Sequence, residues 1–248
     1  DILADLISAQ SGSAISYRLT LYVSLVATMA SLLPLAYVAE KNSEENNGIR
    51  GQLHIYRSIF KSKVVRQMTL FYCLYGIGWG TSLPYFNVYF DTVLGASANQ
   101  IGIIFSVSQV FMILGYFLVP VLTERTGKVR LVAIVQILSI PFLLMFVLTN
   151  NLLIAVVGFV MRYMIMNMAN PILNSFKLEI VQPEERSMIN SIMWMACYTF
   201  VGIGNYVGGL MMAKGDSRMP FMVTGLFYAA TAVFYYICFN KLEEIIKT

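Results

Sequence analysis

Arg162 is the residue best placed to do chemistry. It falls about ten residues into an apolar run that extends over about 152–177. An arginine at the centre of a bilayer costs on the order of 2.5–3.5 kcal/mol on insertion scales, so it must face protein or water and find a partner. The acids of this chain are poorly placed to serve. Glu179 follows seventeen residues later, about 25 Å at helical rise, and Asp91 falls at the opposite surface. The charge is then met by a group outside this chain, by helix-end carbonyls, or by the anionic part of a ligand. Either Arg162 lines a solute cavity, or it holds carbonyls and polar side chains in a helix interface.

Other polar and amphipathic side chains inside apolar runs are candidates for the same cavity. Asn170 stands eight positions after Arg162, near the same helical face, with Asn167 between them and Pro171 behind it. A proline inside a helix frees a backbone carbonyl and kinks the axis. Trp79 and Asn87 lie in an earlier run, Gln109 in the next and Gln136 in the one after. The two glutamines suit hydrogen bonds between helices. Asn190, Trp194 and Tyr198 recur every four residues and share one helix face, as packing or as a cavity wall. These residue types bind and orient a solute. No nucleophile–base pair, phosphate-cradling glycine loop or metal-ligand cluster accompanies them, so no enzyme, cofactor or metal is indicated. His54 is the single histidine and lies in a polar stretch, which excludes a histidine site in the membrane.

The elements that must position these residues are membrane helices. Of the 248 residues, 58% are hydrophobic and 12% charged, against about 25% charged in a soluble domain. Mean hydropathy is +0.69. Several runs exceed the roughly 18 apolar residues that mark a spanning helix. Spans are predicted at about 19–39, 67–90, 100–122, 130–149, 152–177, 187–212 and 218–240. The fold class is all-α: a polytopic membrane protein in the lipid bilayer, with six helices preceded by one extra spanning helix. Residues 1–40 form a loop and one transmembrane helix, kinked at Pro34. Residues 41–66 form a linker, and 67–248 the six-helix bundle. In the linker, Ile49, Leu53, Tyr56 and Phe60 recur at helical spacing beside Arg50, Arg57, Lys61 and Lys63. That pattern suits either an amphipathic helix on an anionic membrane face or a solvated loop helix. Cys73, Cys197 and Cys238 fall one per helix and read as packing residues.

Lysine and arginine set the orientation. Lys41, Arg50, Arg57, Lys61, Lys63, Arg66, Arg125, Lys128, Arg130, Lys177, Arg186, Lys241 and Lys247 lie in or beside alternate loops. Only Arg18, Lys214 and Arg218 lie on the other side. The side rich in cations is cytoplasmic, and the C-terminus with it. The net charge of +4 therefore belongs to membrane loops, and no nucleic-acid partner is indicated. The localisation expected is the plasma membrane.

The connection from Pro120 to Arg130 carries a pattern: small residue, any, Leu, any, acid, base, any, Gly, base, any, base. It is met by Pro120, Leu122, Glu124, Arg125, Gly127, Lys128 and Arg130. It resembles the loop signature of the major facilitator superfamily, with Glu in place of the usual Asp and Val129 in place of one common base. Two further regions are similar to that family. One is Gly76–Ser106, with Gly-Ile-Gly-Trp-Gly and Leu-Pro-Tyr-Phe-Asn. The other is Glu179–Gly209, with Val-Gln-Pro-Glu-Glu-Arg before a helix ending Gly-Asn-Tyr-Val-Gly-Gly. The stretch 68–239 resembles the C-terminal six-helix half of such a transporter, and residues 1–40 its loop and sixth helix.

The resemblance implies secondary transport of a small solute by alternating access. It also implies a missing N-terminal half of five more helices, and a conformational gate at Glu124, Arg125, Gly127, Lys128 and Arg130. If the solute itself meets the Arg162 charge, it is an anion. Gly204-Asn205 stands where antiporters of this family often carry Gly-Pro, so antiport is not implied. Gly204 and Gly208 suit close helix packing. Two other readings compete. A seven-helix membrane receptor or retinal protein matches the count of spans, yet the last span holds no lysine for a Schiff base. A non-transporting membrane subunit matches the composition equally well.

Overall fold

The computed structural model describes residues 13–30 and 60–247, and among these every regular element is helical. The helices are α1 (Ser13–Ala30), α2 (Lys63–Ser82), α3 (Tyr85–Thr92), α4 (Ala98–Thr126), α5 (Lys128–Leu148), α6 (Leu152–Asn167), α7 (Ala169–Glu179), α8 (Arg186–Ala213) and α9 (Met219–Lys247). A short 3-10 turn, Pro183–Glu185, leads into α8. Five stretches are long and apolar enough to cross a membrane: α4, α5, the α6–α7 pair, α8 and α9 up to Ile245. The kink expected at Pro34 and most of the amphipathic segment expected at 49–63 lie outside the described residues. In α1, Arg18, Leu19 and residues 21–30 are exposed.

Local chemistry sets the helix ends. α4 starts with a reciprocal cap, in which the Gln100 N–H donates to Ser97 Oγ at 3.3 Å and the Ser97 N–H to Gln100 Oε1 at 2.8 Å. Asn151 Oδ1 caps α6 by accepting from the N–H groups of Leu153 and Ile154. The turn between α4 and α5 is much tighter than the gap between the predicted spans 100–122 and 130–149. Both helices run up to Gly127, which alone connects them with φ +86°. A side chain is strained in that region, and glycine is not.

Two expected spans are interrupted. The one at 67–90 is broken at Leu83-Pro84 into α2 and α3. The one at 152–177 is broken at Met168 into α6 and α7. Pro171 has no N–H to donate to the Asn167 carbonyl, which removes the backbone bond bridging that break.

α2 and α8 form the most extensive helix pair. Gly76 and Gly80 on α2 and Gly204 and Gly208 on α8 let the two backbones touch. A Cβ at Gly76 would strike the Cys197 carbonyl, and one at Gly80 the Val201 backbone. Reciprocally, a Cβ at Gly204 would strike the Ile77 carbonyl and one at Gly208 the Thr81 carbonyl. Spacing of four on each helix makes this a small-xxx-small interface, as expected for Gly204 and Gly208.

From this pair the bundle extends in an arc. α2 packs on α9, α9 on α5, α5 on α6 and α6 on α4. Hydrogen bonds link the layers. Thr224 Oγ1 donates to the Gly78 carbonyl at 2.9 Å, and Thr231 Oγ1 to Gln136 Oε1 at 3.4 Å. Gln136 thus serves the interhelical role expected of it. A cluster of Phe86, Tyr89, Phe90, Phe146, Phe159 and Phe221 closes the end of the bundle nearest Asn150. α4 and α8 stand at the two ends of the arc. Only 17% of the apolar window of α4 is buried, which leaves its outer face to lipid or to further protein.

If the glycine contact holds the arc together, Gly80→Leu should destabilise strongly. Overpacking of this kind typically costs about 1–3 kcal/mol, and more where backbone blocks relief. Gly202 meets nothing within 4 Å, so Gly202→Ala should instead gain helix propensity, about 1 kcal/mol. Thermal unfolding of both variants in detergent measures the contrast, and equal effects would remove the backbone contact as the explanation.

Candidate functional site

Arg162 lies on α6 and is 5% exposed. It borders a cavity of about 130 Å³ lined by α2, α3, α4, α6, α7, α8 and α9. The guanidinium sits over the Phe86 ring at 4.8 Å and near the Tyr228 ring at 5.6 Å. It also shares a hydrogen bond with the Tyr228 side chain. Its Nε has no acceptor, and no carboxylate pairs with it among the described residues. Cation–π contact offsets on the order of 2 kcal/mol when desolvated. Removing a cation from water costs several kcal/mol. The local partners therefore do not balance the charge.

The cavity brings together Trp79, Arg162, Asn167, Asn170 and Trp194 from the residues predicted by sequence. Tyr75, Phe86, Phe105, Tyr163 and Tyr228, which sequence reasoning missed, complete much of the wall. They read as ordinary core aromatics in a chain with 15 tyrosines and 16 phenylalanines. Around the α6–α7 break a polar chain forms. Asn170 Nδ2 donates to Asn167 Oδ1 at 3.0 Å, and Asn167 Nδ2 to the Tyr163 carbonyl at 2.7 Å. Gln109 Nε2 reaches the Tyr163 hydroxyl at 3.1 Å from α4, so it touches a cavity residue without lining the cavity.

Asn87, Asn190 and Tyr198 also lie outside the lining. Asn87 is exposed, and its Oδ1 accepts from the Val88 N–H. Tyr198 is exposed and stacks on Trp194 with ring centroids 5.4 Å apart, 6.0 Å from Trp79. The predicted stripe on α8 is thus one continuous face, of which Trp194 alone enters the cavity.

At the Gly127 end, charges are satisfied locally. The Lys128 ammonium pairs with Glu179 of α7 and donates to Ser175 Oγ at 3.2 Å. Glu243 of α9, 6% exposed, accepts from the N–H groups of Lys128 at 2.7 Å and Val129 at 2.9 Å. A carboxylate at the first turn of α5 meets both orphan donors and the positive end of the helix dipole. Arg130 Nε donates to Asn240 Oδ1 at 3.2 Å, and its guanidinium lies 3.8 Å from Glu244. Glu124 and Arg125 are exposed beside this network. Lys177, expected in or beside a loop on this side, is instead 1% exposed, with its ammonium against the Tyr72 ring of α2 and the Trp194 ring of α8.

A family model described as Major Facilitator Superfamily matches residues 68–244. The chain belongs to the major facilitator superfamily. Its fold is similar to the crystal structure of a mutant of the nucleoside transporter NupG. The TM-score is 0.62 at 18% sequence identity, over 92% of this chain and 59% of that one. The chain thus spans little more than half the length of that structure, and at this identity the likeness concerns the fold alone. No curated protein matches it by sequence. Family membership and five long apolar helices make it an integral membrane protein.

The cap on α5 is open to a direct check. Glu243→Ala would strand two N–H groups, each costing about 1–3 kcal/mol when buried. Glu243→Gln keeps an acceptor and should lose less, about 0.5–1 kcal/mol of charge–dipole interaction. The order wild type, Gln, Ala in thermal stability is the expected outcome, and wild-type stability of the Ala variant would contradict it.

Proposed function

We propose that this chain is the second half of a secondary transporter that carries a small anionic solute by alternating access. The observation that supports it is Arg162: dry, central, and held by ring faces and one phenol without a carboxylate among the described residues. An intramembrane cation is a functional-site hypothesis with its partner to be named, and an anionic group on the solute supplies that partner. The planar fork of arginine favours a carboxylate or phosphate held by two hydrogen bonds. Trp79, Trp194, Asn167 and Asn170 then orient the rest of the solute. Asn87, Gln109, Asn190 and Tyr198 line the path beyond. The under-buried face of α4 receives the first half of the full-length protein. The nucleoside handled by the structural neighbour is not carried over, because an uncharged solute leaves Arg162 unmatched.

Arg162→Gln should abolish solute binding while the full-length protein still folds, and Arg162→Lys should retain weak binding. Binding and thermal stability measured across pH decide the matter. Wild-type values for both in Arg162→Gln would make the residue a tolerated structural cation.

The Gly127 end is proposed to face the cytoplasm of the plasma membrane, together with the C-terminus, on the distribution of cations. Glu124, Arg125, Gly127, Lys128 and Arg130 act there as a gate. The exposed Glu124–Arg125 pair meets the other half in one state of the cycle, while Lys128 and Arg130 stay anchored. Glu124→Cys tests both ideas. In intact cells an impermeant thiol reagent should leave the variant unlabelled, and transport should slow several-fold with binding retained. Labelling from outside contradicts the orientation, and equal loss of binding and transport contradicts the gate.

A further inference from the structure

The wall of the Arg162 cavity is divided by chemistry. Thirteen residues line it and eight of them are aromatic, in a chain that is 13% aromatic overall. The three polar ones, Arg162, Asn167 and Asn170, all come from α6 and α7. Rings are supplied by the helices around that pole, among them Trp79 from α2, Phe105 from α4 and Trp194 from α8. The cavity therefore has one charged, hydrogen-bonding pole and an apolar body.

Support of the guanidinium accounts for two of the rings, Phe86 and Tyr228. It does not account for the tryptophans. The chain has two, Trp79 and Trp194, and both line the cavity while staying only half-buried. Large aromatic faces left part-open at an interior cavity are surface for a solute to cover.

Size sets a second limit. The cavity of about 130 Å³ is close to the ~150 Å³ of an apolar cavity that takes up benzene. One six-membered ring fills such a space. An inorganic oxyanion suits it poorly, because most of its oxygens would face ring carbons, which return no hydrogen bond. A short aliphatic acid reaches the pole but leaves the body of the cavity empty. It also forgoes the offset and edge-on contacts that flat rings make with one another.

We infer that the solute is a one-ring aromatic carboxylate, with its carboxylate on Arg162 and its ring against Trp79 and Trp194. This rests on the reading of Arg162 as the partner of an anionic solute, and adds to it the body that the anion carries.

The test is equilibrium binding to the full-length protein in detergent at constant ionic strength, with benzoate, propionate, inorganic phosphate and benzyl alcohol as probes. Benzoate should bind. Propionate, with four fewer apolar carbons to bury, should bind roughly tenfold or more weakly. Phosphate should bind more weakly than benzoate because it lacks the ring, and benzyl alcohol because it leaves the charge unmatched. Trp79→Leu and Trp194→Leu should each narrow the ratio between benzoate and propionate. Propionate or phosphate binding as tightly as benzoate, with all binding lost in Arg162→Gln, overturns this inference and leaves the anionic reading of Arg162 standing. Benzyl alcohol matching benzoate, or benzoate affinity unchanged in Arg162→Gln, removes the anionic reading and this inference with it. A lack of benzoate binding, or a ratio unchanged in both tryptophan variants, overturns the inference by itself.

Discussion

Backbone contact between α2 and α8 is the constraint on which the rest of the bundle depends. Four glycines remove the side chains that would otherwise separate the two helices, and carbonyls of each helix occupy the space where a Cβ would stand. In a bilayer there is little hydrophobic gain from joining two apolar helices, so close van der Waals contact over a long interface must supply the attraction. Once the glycine faces are locked together, the flanking side chains have no choice of direction. Tyr75 and Trp79 on α2 and Trp194 on α8 are turned to one side, where they form the cavity wall with Arg162. The site is a by-product of that crossing as much as of the residues in it.

Charge is distributed unevenly along the bundle. Three carboxylates serve the Gly127 end: Glu179 binds Lys128, Glu243 caps α5 and Glu244 faces Arg130, whereas at the opposite end Asp216 accepts from the N–H groups of Arg218 and Met219 at the start of α9. At these ends the helices terminate and their exposed N–H groups and loop cations compete for acids. Arg162 and Lys177, deeper inside, are left to aromatic rings. The contrast matters because surface pairs contribute little, whereas an unmatched interior cation costs several kcal/mol.

The break between α6 and α7 connects these two levels. Pro171 removes one backbone bond, and Asn167 and Asn170 satisfy part of what is left through each other and the Tyr163 carbonyl. Gln109 ties the same region to α4 through the Tyr163 hydroxyl. Polar groups at such a break have two uses, repair of the helix and contact with solute, and here the first is visible in the hydrogen bonds themselves.

Much of this protein was determined by sequence alone. Length of apolar run, charge content and the asymmetry of lysine and arginine specify a polytopic helical membrane protein, because the bilayer permits few other solutions. Gly127 and the surrounding pattern marked a tight turn and the family, and the depth of Arg162 marked it as a residue in need of a partner. Tertiary structure decided what spacing cannot: which of the many aromatics face the cavity, that Asn87, Asn190 and Tyr198 lie outside its lining, and that Lys177 turns inward. These depend on the rotation of each helix about its axis, which is set by contacts between helices far apart in the chain. Lys177 shows the reason most clearly. Its position near the end of an apolar run predicts a lysine reaching for water, but the rings of Tyr72 and Trp194, brought together by the α2–α8 crossing, close over it first.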